Sequence, residues 1–229
     1  MGREATSAVV LLSGGVDSSV LLHHVVRTLH CTPVYAMSFD YGQRHKKELA
    51  CARWQAEAAG VAEHRILDVS FLGDAVRAAT ALVAGGEPVP DLAALPEDDR
   101  DQPPTYVPNR NMVLLSIAAA YAEARGVRDV FYGAQARDEY GYWDCTTAFV
   151  KNLNRVLGLN RRNAVTVHAP FVWMKKCDTV QTGLDLGVDF SHTWSCYRGG
   201  DTACGTCPTC VERLLAFREA GAPDPLPYA

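Results

Sequence analysis

Residues 8–19 read Ala-Val-Val-Leu-Leu-Ser-Gly-Gly-Val-Asp-Ser-Ser, an apolar run followed at once by hydroxyls, two glycines and an acid. The types and spacing fit an anion-holding turn between a strand and a helix. Gly14 and Gly15 leave room for backbone close to a ligand and allow the positive φ of a nest, while the helix that follows aims free N–H groups at the same point. Ser13, Asp17, Ser18 and Ser19 crowd that turn. The expected guest is a phosphate. A Walker loop is excluded because no lysine follows the glycines, so the loop suits attack at the α-phosphorus with pyrophosphate as the held group.

A second cluster is Cys196, Cys204, Cys207 and Cys210, spaced Cys-x7-Cys-x2-Cys-x2-Cys. Three thiolates can converge from the tight knuckle, and Gly199, Gly200 and Gly205 let the loop from Cys196 bring in the fourth. Four thiolates suit a closed, structural tetrahedral Zn2+, with an iron–sulfur cluster as the alternative that soft ligands allow. The other four cysteines, at 31, 51, 145 and 177, are scattered.

These groups need elements to position them. Apolar strands are expected at 33–39, 63–70, 129–133 and 165–169, and helices at 16–29, 46–59, 111–125, 147–157, 176–186 and 208–220. Their alternation predicts an α/β fold, a parallel Rossmann-like sheet whose ligands sit beyond the carboxyl ends of its strands. Residues 1–190 form the catalytic domain and 191–229 a small zinc-binding extension of it. Residues 73–105, with Pro88, Pro90, Pro96, Pro103 and Pro104 and an acidic run, interrupt the pattern and read as a lid, or else as a solvated insertion. The chain has 229 residues, 48% of them apolar, and a formal charge of −4. That balance offers no general attraction to nucleic acid, and no apolar run is long enough to span a membrane. The short apolar run before Ser13 leads into Ser-Gly-Gly-Val-Asp rather than a small-residue cleavage site, so a cytoplasmic protein is expected.

With both clusters in place, the chain resembles the 7-cyano-7-deazaguanine synthases, the QueC family of PP-loop ATP pyrophosphatases, over almost its whole length. The matching pieces are Leu-Ser-Gly-Gly-Val-Asp-Ser at 12–18, Phe-Asp-Tyr-Gly-Gln-Arg-His at 39–45, Tyr-Val-Pro at 106–108 with Arg110 and Asn111, Gly-Tyr at 141–142 with Asp144 and Cys145, His-Ala-Pro at 168–170, Lys176, and Thr-Trp-Ser-Cys-Tyr at 193–197 leading into the cysteine knuckle. The resemblance implies conversion of 7-carboxy-7-deazaguanine, ammonia and ATP into the nitrile of queuosine and related 7-deazapurine pathways, a C–N ligase reaction through adenylated intermediates with Mg2+ on the pyrophosphate.

On that resemblance, Ser13, Gly14, Gly15, Asp17, Ser18 and Ser19 take the ATP pyrophosphate. Gln43, Arg44 and His45 face nucleotide or substrate, with Gln43 at the substrate and His45 near the phosphates. Arg110 neutralises phosphate or carboxylate, and Lys176 the departing phosphate. Asp138, Tyr142, Trp143 and Asp144 read the base, carboxylates accepting from its N–H donors and an aromatic ring covering a face. The chain departs from the family pattern at Asn109, Gln135 and Trp143, where glycine, asparagine and proline are common. A second reading keeps the chemistry but joins the deazaguanine to an amine of a protein or nucleic acid, as an antiviral paralogue would. A tRNA-modifying PP-loop enzyme and a non-enzymatic zinc module are weaker readings. A homodimer and, under the second reading, a protein acceptor are the partners left open.

Overall fold

The computed structural model describes residues 6–96, 103–135 and 142–229. Five parallel strands, β1 (Ala8–Leu11), β2 (Val34–Asp40), β3 (Glu63–Asp68), β4 (Asp129–Phe131) and β5 (Thr166–His168), form one sheet in the order β3-β2-β1-β4-β5. The helices are α1 (Val16–Arg27), α2 (Lys47–Ala59), α3 (Ser70–Val76), α4 (Arg110–Ala124), α5 (Thr147–Leu157), α6 (Lys176–Asp185) and α7 (Pro208–Glu219).

Side chains on a strand alternate between faces, so the first apolar run feeds two cores. Ala8, Val10 and Leu12 pack with α1, α2, α6 and α7 through Val20, Leu21, Ala56, Val180 and Phe217. Val9 points the other way, with Met37 and Phe39, against Leu114, Leu115 and Ala118 of α4 and Phe149 of α5. Both faces are covered, as a parallel sheet requires. The strand order reverses between β1 and β4, opening a crevice at their carboxyl ends.

Two expectations change. The strand expected at 63–70 stops at Asp68, whose Oδ1 accepts the Ser70 amide at 2.9 Å and turns the chain into α3. The segment expected to be a lid is, over 73–96, a docked insertion. Ala81, Leu82 and Val83 are buried, and the Arg44 amide donates to Leu82 O at 2.9 Å. Leu92 N donates to Thr206 O at 3.1 Å, and Arg198 donates to Val89 O and to Asp91, so the insertion lies against the cysteine-bearing segment. Residues 97–102 of it lie outside the described residues.

The C-terminal extension is part of the core. Ala216 and Phe217 of α7 belong to the first cluster, and buried Arg213 forms an ion pair with Asp224 at 2.8 and 2.9 Å while donating to Phe190 O and Thr193 Oγ1. No helix of the described residues is long and apolar enough to cross a membrane.

Candidate active site and metal centre

The crevice beyond β1 and β4 holds a cavity of about 280 Å3. Its floor is the loop after β1. Ser18 Oγ accepts the Ser13 and Gly14 amides at 3.1 and 3.2 Å and lies 2.9 Å from Ser13 Oγ, which accepts the Gly15 amide at 3.2 Å. The hydroxyls thus hold the loop's N–H groups in place without a ligand. Gly14 alone of the pair has positive φ, +86°, and an added Cβ there would sit 2.0 Å from Glu48 O. Its missing side chain admits α2, not a ligand. Gly15, with φ −79°, lines the cavity as the residue capping α1.

Ser13, Gly15, Asp17 and Ser18 face the cavity together with His45, Arg110, Tyr142 and Lys176. Lys176 Nζ meets Asp17 Oδ2 at 2.6 Å and Glu212 Oε2 at 3.4 Å. A cation on the first turn of α6 opposes the helix dipole, and these two carboxylates offset it. Burial raises the Asp17 carboxyl above the usual range against the pull of Lys176, and its Oδ1 is buried with no hydrogen-bond partner among the described residues. Arg110 Nη1 donates to Tyr41 OH at 3.2 Å, and Tyr142 and Tyr197 share its surroundings. Burial holds the His45 imidazole down to about 4, so it is neutral at pH 7; its ring stacks on Tyr197.

Other expected site residues stand elsewhere. Ser19 is fully buried on α1, its hydroxyl turned into the interior. Gln43 is not a cavity residue: its amide accepts from Tyr41 N at 2.9 Å and donates to Phe39 O and to Glu48 Oε1 at 3.2 and 3.0 Å. Arg44 is directed into the insertion, donating to Ala81 O at 2.8 Å and Glu87 O at 2.7 Å. Trp143 packs edge-on against Phe149 and donates to Tyr106 OH at 2.8 Å, outside the cavity wall. Asp144 is 3% exposed behind that wall, its carboxyl raised by burial and drawn back down by Arg110 and by hydrogen bonds at Asn111. It braces the start of α4. Asp138 lies outside the described residues.

The departures from the family pattern have local reasons. Asn109 takes φ +54°, a conformation asparagine tolerates and glycine adopts freely. Gln135 lines the cavity, donates to Thr179 Oγ1 at 2.6 Å and leaves Oε1 buried without a partner among the described residues. Cavity residues that were given no site role from the sequence include Glu48 and Glu212, and Tyr41 and Tyr197, which stand within matching motifs. Glu48 gave one weak signal, an acid in the first turn of α2. Such acids are ordinary dipole partners, so the pattern alone does not distinguish it.

The four cysteine sulfurs lie within 4.8 Å of one another, and Cys204 and Cys210 are 4.0 Å apart. A tetrahedral ion with metal–sulfur bonds of about 2.3 Å needs sulfur edges of about 3.8 Å, so the cluster fits a metal ion. The Cys204 and Cys207 amides point at the sulfurs of Cys196 and Cys204 at 3.4 and 3.3 Å, as thiolates require. The knuckle reaches the cavity along two routes: Trp194 N donates to Gly14 O at 2.9 Å, and α7, which begins at the knuckle and carries Cys210, brings Glu212 to Lys176.

A doubly wound parallel sheet with a Ser-Gly-Gly-x-Asp-Ser loop at its switch point defines a Rossmann-like α/β protein. The family model for queuosine biosynthesis protein QueC matches residues 7–221, and the chain belongs to the QueC family. It is 42% identical over 227 residues to the 7-cyano-7-deazaguanine synthase of Clostridium kluyveri, covering 96% of this chain and 97% of that one. Identity to the synthase of that name from Caldicellulosiruptor saccharolyticus is 45% over 221 residues, covering 96% and 95%. To that from Alteromonas mediterranea it is 41% over 225 residues, covering 97% and 98%.

Proposed function

We propose that the protein is a 7-cyano-7-deazaguanine synthase, an ATP-dependent C–N ligase that converts 7-carboxy-7-deazaguanine and ammonia to the nitrile. The carrying observation is the serine-laced loop at the sheet's switch point, in a chain 42% and 45% identical to two full-length relatives of that name. A carboxylate conjugated to an electron-rich pyrrole is a poor electrophile. Its attack on the α-phosphorus of ATP gives an acyl adenylate, which ammonia turns into the amide; adenylation of the amide oxygen then permits loss of AMP and formation of the nitrile.

The amides of the first turn of α1, the Ser13 and Ser18 hydroxyls and Lys176 stabilise the departing pyrophosphate, electrostatic catalysis by preset donors. Mg2+, when bound, would neutralise part of that charge, and Asp17 Oδ1 with Glu212 supplies the oxygens that suit it. Arg110 receives the substrate carboxylate. Tyr142 and Tyr197 supply faces for the deazaguanine ring in place of Trp143, and Gln135 Oε1 supplies an acceptor for its N–H groups. The four cysteines hold one structural Zn2+, since four thiolates leave no open position for water.

Mass spectrometry of products from 7-carboxy-7-deazaguanine, ammonium, Mg2+ and ATP tests this reading. Free nitrile with AMP and pyrophosphate is the expected result. ADP and inorganic phosphate as primary products, or no acid-dependent AMP, would overturn it.

A further inference from the structure

Three carboxylates line the described wall of the cavity, and two of them, Asp17 and Glu212, lie against Lys176. The third, Glu48, has no cation within ion-pair distance among the described residues. Its Oε1 takes the Gln43 amide at 3.0 Å, and no other hydrogen bond reaches the carboxylate among those residues. Gln43 is itself fixed by Tyr41 N and Phe39 O, so the group it holds has little freedom to turn. Close packing of Gly14 against Glu48 O and Ala52 N locks this turn of α2 to the phosphate loop. Glu48 is therefore held at a fixed distance from the loop that would present an adenylated substrate.

The reaction needs such a group. Near neutral pH ammonia is almost wholly ammonium, which has no lone pair and cannot attack an acyl carbon. We propose that Glu48 binds ammonium in this cavity and takes its proton, delivering ammonia to the adenylated carboxylate; this rests on the proposed function above. Two protons leave the nitrogen in forming the amide. The first goes to Glu48. The nitrogen lone pair then forms the C–N bond, the surplus proton passes to solvent, and the carbon–oxygen bond to AMP breaks with its electron pair leaving on the phosphate.

The charge environment suits the task. Burial pushes the Glu48 carboxyl up to about 7 from an ordinary 4.5, against the pull of Arg110 and the Gln43 hydrogen bond and with a push from Asp40. Tyr41 and Cys51 are the other titratable groups that face it. A base of that strength is ionised in part at neutral pH and still accepts a proton readily. His45 is the imidazole among the described residues lining the cavity, and at about 4 it is a weaker base than Glu48.

The test uses the full-length metal-loaded protein and two nucleophiles. Hydroxylamine is a weaker base that keeps its lone pair at neutral pH, so it attacks without a prior deprotonation, and the one proton that leaves its nitrogen in forming the hydroxamate passes to solvent. In Glu48→Gln the ratio of ammonium-supported to hydroxylamine-supported turnover is expected to fall about 100-fold or more, the scale of a general base. The wild-type kcat/KM for total ammonium should rise with pH through about 7 as Glu48 ionises and then flatten, whereas the variant should follow free ammonia alone. Glu48→Asp, which keeps a carboxylate, should recover part of the ratio. Equal loss with both nucleophiles, or an unchanged ratio, overturns the proposal. If the wild-type protein makes no AMP from 7-carboxy-7-deazaguanine, the function is wrong rather than the residue; a ratio that holds while AMP is made condemns the residue alone.

Discussion

Ser18 shows how much one hydroxyl holds at this site. Its oxygen accepts two loop amides and touches a second hydroxyl, so the shape of the β1–α1 loop is fixed by its own side chains. Ser18→Ala leaves the Ser13 and Gly14 amides without that acceptor. Orphaned N–H groups of this kind cost about 1–3 kcal/mol, which for a chain of this size is a melting-temperature loss of roughly 2–12 °C. The catalytic cost is separate, since under the proposed function the loop also stabilises charge on the leaving group. A fall of about 100-fold in acid-dependent pyrophosphate release is expected, and it should persist at saturating ATP. A variant that melts lower but turns over normally would limit Ser18 to a structural part.

At the scale of elements, the close approach of the β1–α1 loop to α2 explains why the two glycines are not equivalent. Gly14→Ala puts a Cβ 2.0 Å from Glu48 O and 2.7 Å from Ala52 N in a backbone with φ +86°. Backbone atoms cannot give way cheaply, so a loss of about 3 kcal/mol or more, roughly 6–12 °C in melting temperature, is expected from thermal unfolding. Gly15→Ala has ordinary φ and nothing nearer than Ser13 Oγ at 3.4 Å. Its melting temperature should stay within about 2 °C of the parent's, while the new methyl at the cavity floor weakens ATP binding in calorimetry. Equal melting losses for the two would contradict the packing described.

Across the whole molecule, the cysteine knuckle and the phosphate loop are far apart in sequence and joined in space by Trp194 and α7. Removing the metal should therefore act on catalysis as well as on stability. A chelator, or Cys207→Ser, is expected to lower the melting temperature by about 10 °C or more, because metal binding and folding are coupled at such sites. Trp194 is 2% exposed, and its fluorescence should shift to the red in the same transition. Pyrophosphate release should fall together with the metal content measured by elemental analysis, at one zinc per chain in the intact protein. Iron with acid-labile sulfide would make the centre a cluster, and a metal-free chain that is folded and active would remove its structural role.

The hydroxyl-rich turn after β1 and the cysteine set were legible in the sequence because each is local: neighbouring residues converge through one turn, and spacing along the chain stands in for distance. The alternation of strands and helices was legible for the same reason, since apolar runs and glycine stops fix elements one at a time. Spacing did not decide which side chains face the cavity. Ser19 and Gln43 sit within motifs, yet the turn of α1 and the bend after β2 direct them inward, and Trp143 and Asp144 brace the wall rather than line it. Glu48, Tyr41, Tyr197 and Glu212 become neighbours only when α2, β2, the knuckle and α7 meet beyond the sheet. Sequence determined the chemistry available at each turn, because that depends on residue type and short spacing. Tertiary structure decided which groups act together, because burial, close packing and charge depend on elements that the chain brings together from far apart.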